Sequence, residues 1–184
     1  MSKIILDLCG GTGSWSKPYR DAGYDVRLIT LPENDVRTYQ PTENVYGILA
    51  APPCMEFSIA KANNPRNFYS GMETVEACFK VIWHCRKKSK LSFWALENPV
   101  GFLRQFIGKP FFTFRQWEFK DKGVKPTDLW GYFNPPRKTE TVRPDGLMRT
   151  FPNGSKNAVN WGGSSKKRAI TPLGFAKAFF EANR

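Results

Sequence analysis

Apolar residues fall in short runs separated by turns and polar segments, and their spacing predicts alternating strands and helices. Residues 3–8 form a β-rich run that leads into a glycine-rich turn, and residues 17–22 can form a helix. Gly23-Tyr24 turns the chain into a second predicted strand, 25–31, which Pro32-Glu33-Asn34 breaks; a third short segment begins at Asp35. The run 46–51 lacks polar alternation, as expected of a parallel strand covered on both faces, and Pro52-Pro53 stops it. Val75, Cys78, Phe79, Ile82 and Cys85 recur at helical spacing and predict a helix over 73–88. Glu73 and Glu76 stand at its N-terminal end and Arg86, Lys87 and Lys88 at its C-terminal end, matching the macrodipole. Residues 92–96 read as a strand that Glu97-Asn98-Pro99 terminates, and 172–182 as a closing helix with Thr171 as N-cap and Pro172 first. The rhythm is that of βαβ units, so an α/β fold is expected, with a mostly parallel central sheet in one domain spanning 1–184.

This layout places chemistry at strand ends, where open α/β sheets bind their ligands. Cys54 follows the two prolines and is a candidate nucleophile on a rigid turn; alternatively, it is a small buried hydrophobe. Glu97 occupies the same kind of position one crossover later, which brings a thiol and a carboxylate to one rim. A thiolate forms more readily beside a cation, and Lys61 and Arg66 in the following loop are candidates. Strand, turn and helix around Cys9-Gly10-Gly11-Thr12-Gly13 would let backbone approach a cofactor. The turn has neither the dinucleotide nor the P-loop spacing, and Asp7 before it suits a cationic ligand such as a sulfonium. Cys78, Cys85 and His84 read as structural.

Charge sharpens the picture. A net charge of +12 on 184 residues suggests a polyanionic partner, most simply nucleic acid. Four cysteines without a CxxC pair, and one histidine, make no plausible zinc set, so no metal is expected. No apolar run approaches a membrane span, and Met1-Ser2-Lys3 leads straight into a strand, so no membrane partner and a reducing cytoplasm are expected.

Three stretches together resemble a known family. Asp7-Leu8-Cys9-Gly10-Gly11-Thr12-Gly13-Ser14-Trp15 resembles the first motif of the DNA cytosine-5 methyltransferases. Pro52-Pro53-Cys54-Met55-Glu56-Phe57-Ser58 is similar to their Pro-Pro-Cys-x-x-Phe-Ser catalytic motif, and Glu97-Asn98-Pro99 to their Glu-Asn-Val. The motifs keep the family's order, and the likeness covers about the first hundred residues. It implies a Rossmann-like fold that binds S-adenosylmethionine, with Cys54 and Glu97 catalytic. Asp7, Cys9, Gly10, Gly11, Thr12, Gly13, Trp15, Asp35 and Pro52 would meet the cofactor, with Asp35 near the adenine. Ser58, Asn98 and Pro99 would meet the substrate base, which must be flipped out or supplied single-stranded.

Departures from the family bear on the substrate. Its Gln-x-Arg-x-Arg motif is absent, and Lys125 or Thr127 would stand in for it. No separate target-recognition domain follows. The basic irregular segment 134–168, with Lys166, Lys167 and Arg168 and with Phe151 and Trp161 interleaved, would contact DNA instead. Two other readings stay open: modification of a free cytosine nucleotide, and a nucleic-acid-binding module on a decayed methyltransferase core.

Overall fold

The computed structural model describes residues 2–41, 44–61, 64–150, 156–158 and 169–184, the short strands at 148–150 and 156–158 by their backbone alone. Six strands form the main sheet: β1 (Ile4–Leu8), β2 (Asp25–Ile29), β3 (Val45–Ala50), β4 (Phe93–Pro99), β5 (Phe112–Arg115) and β6 (Pro126–Tyr132). Their order across the sheet is β2-β1-β3-β4-β6-β5. β7 (Met148–Thr150) and β8 (Lys156–Ala158) make a separate antiparallel pair.

The expectation of a mostly parallel sheet is corrected. β1 pairs in parallel with β2 and β3, and β3 with β4, but β6 runs antiparallel to both β4 and β5, so the sheet is mixed. The link from β5 to β6, residues 116–125, is shorter than the dozen or so residues a parallel crossover needs. The same pairing lengthens β4. Glu97-Asn98-Pro99 does not end the strand, because Glu97 faces Leu129, Asn98 faces Asp128 and Pro99 faces Thr127 across the ladder.

Period-two alternation in the central strands feeds two cores. Leu6, Leu8, Ile48 and Ala50 pack with Val75, Cys78, Ile82 and Cys85 of α2 (Phe68–Lys88) on one face. Ile5, Leu49, Phe93 and Ala95 pack on the other with Trp15, with Tyr19 of α1 (Lys17–Asp21), and with Phe175 and Phe179 of α4 (Leu173–Ala182). A short α3 (Leu103–Ile107) follows β4. Two helix starts differ from expectation. α2 begins at Phe68 because the Asn67 side chain accepts the Ser70 amide at 3.0 Å, which leaves Glu73 and Glu76 beyond the first turn. In α4, Pro172 rather than Thr171 is the cap residue, and the first free amides, of Gly174 and Phe175, donate to the Asp121 carboxylate at 3.3 and 3.1 Å.

Candidate active site

The turn that carries Cys54 is fastened at every step. The Ala51 amide donates to the Leu8 carbonyl at 2.9 Å, which holds the end of β3 against β1. The Pro52 carbonyl accepts from Asn98 Nδ2 at 3.1 Å, and Asn98 is fully buried. The Cys54 carbonyl accepts the amides of Phe57 and Ser58, which closes residues 54–58 into a tight turn. Phe57 is buried in the core, and its carbonyl accepts the Phe102 amide at 2.9 Å. Cys54 itself is half-buried on this scaffold.

Lys61 and Arg66 belong to that scaffold. Lys61 pairs with Glu56 at 2.5 Å, and the Asn67 amide donates to the same carboxylate. Arg66 donates to the Glu56 and Ser58 carbonyls, both at 2.9 Å, while its guanidinium lies 4.6 Å from the Phe102 ring centre. The cation that acts on Cys54 is Lys125, from the loop before β6. Burial pushes the thiol above its ordinary value; the Lys125 charge opposes that rise, and the Glu97 charge adds to it.

Lys125 also serves Glu97. Its Nζ stands 3.9 Å from Glu97 Oε1, and the Glu97 side chain is only 18% exposed. Burial raises the carboxyl's pKa, Lys125 opposes, and Asp128 adds to the rise. Asp128 is fully buried with both oxygens engaged: Arg104 donates Nε and Nη2 at 2.7 Å each, and the Thr113 hydroxyl donates at 2.6 Å. Sequence reasoning passed over this network, and the one available signal was an aspartate inside an apolar strand that demands partners. It also passed over Gln116, which lines a chamber of about 10 Å³ with Glu97, Lys125, Thr127 and Thr171. That is about the room one water needs.

The glycine-rich turn leaves β1 with Cys9, Gly11 and Gly13 at positive φ (58°, 55° and 69°). Asp7 is fully buried beneath it and accepts the Ser16 hydroxyl. The carboxylate occupies the space that a Cβ on Gly10 would take, 2.2 Å from that position, so only glycine fits there. Burial pushes the Asp7 carboxyl up to about 6, against the Ser16 hydrogen bond and the Arg20 charge. Ser14 donates its hydroxyl to the Thr171 carbonyl at 2.7 Å and so pins the approach to α4 against the turn.

One cavity of about 1250 Å³ joins the glycine-rich turn, the Cys54 turn and Lys125; Glu97 is not on its wall and lines the small chamber instead. Thr12, Gly13, Cys54, Ser58, Pro99 and Lys125 are on its wall, and Thr127 borders the small chamber behind Lys125. Asp7, Cys9, Gly10, Gly11, Trp15, Pro52 and Asn98 are not; Asp7, Trp15, Pro52 and Asn98 are buried, and Gly11 is exposed. Trp15 packs edge-on against Phe179, 5.3 Å between ring centres. The Cys9 thiol meets that of Cys78. Asp35 is taken up by Arg37, with Nη2 at 2.6 Å and the backbone amide at 3.0 Å. In the basic segment, Lys138 pairs with Glu118 at 3.0 Å and lies over the Phe112 ring, a structural role. Lys166, Lys167, Arg168, Phe151 and Trp161 lie outside the described residues. Among the described residues, no group of three or more His, Cys, Asp or Glu side chains could hold a metal ion, and no helix is long and apolar enough to cross a membrane.

No protein-family model matches the chain, and no curated protein matches it. Among solved structures, it is similar to a methyltransferase of Entamoeba histolytica at 10% identity and a TM-score of 0.41. The match covers 80% of this chain and 58% of that one, so this chain spans less than two thirds of its length.

Proposed function

We propose that the chain is an S-adenosylmethionine-dependent methyltransferase that modifies carbon 5 of cytosine in DNA through a covalent adduct to Cys54. The observation that carries this reading is the shared cavity: the glycine-rich turn, the candidate nucleophile and Lys125 line the same space, and the Lys125 charge favours the thiolate. The turn suits the donor's amino-acid and sulfonium end. A Cβ at Gly11 would meet nothing within 4 Å, so backbone is open to approach there, and Thr12 and Gly13 face the cavity. When bound, S-adenosylmethionine supplies a methyl group made electrophilic by the sulfonium.

The chain's own residues do the rest. Lys125 stabilises the Cys54 thiolate, which adds to cytosine carbon 6. Glu97, in the protonated form that burial and Asp128 favour and Lys125 opposes, donates a hydrogen bond to ring N3 and draws the added electron density into the ring. Carbon 5 becomes nucleophilic and takes the methyl group. Loss of the carbon 5 proton then expels Cys54 as thiolate and restores the aromatic ring. Asn98 keeps thiol and carboxyl in register through the Pro52 carbonyl. In this reading the basic segment 134–168 supplies phosphate contacts.

Labelled-methyl transfer to duplex DNA and to dCMP tests the assignment. Label is expected in DNA, at carbon 5 of cytosine, and absent with Cys54→Ser. Label in dCMP alone, or in neither, would overturn it.

A further inference from the structure

Five cationic side chains stand on the cavity wall, and they differ in what holds them. Lys17 pairs with Asp21, Lys61 with Glu56 and Lys125 with Glu97. Arg20 and Lys122 have no ion-pair partner among the described residues. Of these two, Arg20 is the one set on the glycine-rich turn. Its Nη2 lies 3.3 Å from where a Cβ on Gly13 would be, so the guanidinium rests directly against the Gly13 backbone. Gly13 thus answers two demands, a φ of +69° and the seat of a guanidinium. The base of the arginine is fixed, because Tyr19 beside it is fully buried and the Arg20 amide donates to the Ser16 carbonyl at 3.1 Å. Asp7 feels the Arg20 charge but makes no ion pair with it: that carboxylate is sealed beneath the turn and accepts from Ser16.

An uncommitted guanidinium on a cavity wall is a receptor for a planar anion. It offers five N–H donors in a rigid fork and no acceptor, and it matches a carboxylate or phosphate with two parallel hydrogen bonds. We propose that Arg20 is the anion receptor of this cavity and holds the carboxylate at the amino-acid end of the methyl donor. The inference rests on the methyltransferase reading. It adds a binding residue, foreseen by none of the sequence motifs, and it explains why a cation lies against a turn whose buried neighbour is an aspartate. A DNA phosphate is the other source of the same anion chemistry.

Calorimetry separates these outcomes. The probes are S-adenosylhomocysteine, which keeps the amino-acid end, 5′-methylthioadenosine, which lacks it, and a short DNA duplex. Arg20→Met is expected to weaken S-adenosylhomocysteine tenfold or more and to leave 5′-methylthioadenosine within twofold, with Arg20→Lys recovering part of the loss. Unchanged S-adenosylhomocysteine affinity, equal weakening of both nucleosides, or weakening of DNA alone would overturn the proposal while leaving the methyltransferase reading intact. If the unaltered protein binds neither nucleoside, that reading fails and the proposal with it. A thermal melt checks folding of each variant; if Arg20→Met is unfolded, Arg20→Lys decides by the same comparison.

Discussion

Asn98 donates its side-chain amide to the Pro52 carbonyl at 3.1 Å, from the strand that carries Glu97 to the turn that carries Cys54. Asn98 is fully buried, and its bond extends the parallel pairing of β3 with β4 past Ala50 and Leu96, into the turn. Asn98→Ala leaves the Pro52 carbonyl without its side-chain donor, a loss of about 1–3 kcal/mol. A larger effect on turnover is expected, since a misplacement of about 1 Å between reacting groups lowers rates about a hundredfold. Urea melts and steady-state methylation of the variant measure the two losses. A large loss of stability with unchanged turnover would show that the bond does not set the site's geometry.

Lys125, rather than Lys61, is the cation that favours the Cys54 thiolate, against the larger rise that burial imposes. The pH dependence of Cys54 alkylation by iodoacetamide, followed site by site by mass spectrometry, reads this out. Lys125→Met is expected to move the midpoint upward, because the charge that favours thiolate is gone. Lys61→Met should leave it in place, as that ammonium is spent on Glu56. The reverse pattern would reassign the activating cation.

Much of this site was legible in the chain, and the limits have physical causes. Two prolines after an apolar run placed Cys54 past a strand end, because proline can neither continue a ladder nor relax its φ. The same reasoning stopped β4 at Glu97, wrongly, because β6 pairs with it from thirty residues downstream and no local signal announces a distant partner. Lys61 and Arg66 looked available because they are close in sequence to Cys54, but side chains answer to space. Lys125 arrives from a loop some seventy residues on. The capping of α4 failed for a like reason: its first amides are met by Asp121, fifty residues away, and Thr171 instead offers its carbonyl to Ser14. The parallel part of the sheet was readable from unbroken apolar strands. The reversal at β6 was not, since strand direction follows from linker length and partner choice.

Asp7 makes stability depend on pH. Its folded-state pKa is about 6 against an ordinary 3.8, so the folded chain binds this proton more tightly than the unfolded one. The contribution is fully present below pH 3.8 and is lost as pH rises through about 6. About two units correspond to roughly 3 kcal/mol. Urea melts between pH 4 and 7 are expected to show the Asp7→Asn variant gaining on the unaltered protein as pH rises. A difference that stays flat, or one that runs the other way, would contradict the buried-carboxyl account.

If the basic segment 134–168 contacts phosphates, DNA affinity depends on salt through it. Each phosphate contact contributes about −0.9 to the slope of log affinity against log salt. Replacing Lys166, Lys167 and Arg168 together with Ala should flatten that slope by about 2 to 3 and weaken all sequences alike, because backbone contacts position while base contacts specify. Affinity unchanged at moderate salt would exclude these three residues.

The covalent step is the centre of the account, and it can be trapped. A fluorine at carbon 5 of cytosine cannot leave as a proton does, so addition of Cys54 and methyl transfer should halt at the adduct. The measurement is intact mass, with peptide mapping, of the protein incubated with S-adenosylmethionine and a duplex containing 5-fluorocytosine. The account predicts a stable one-to-one protein–DNA adduct mapping to Cys54 and absent from Cys54→Ser. Methylation of ordinary DNA by Cys54→Ser at an undiminished rate, or a trapped adduct on another residue, would contradict it.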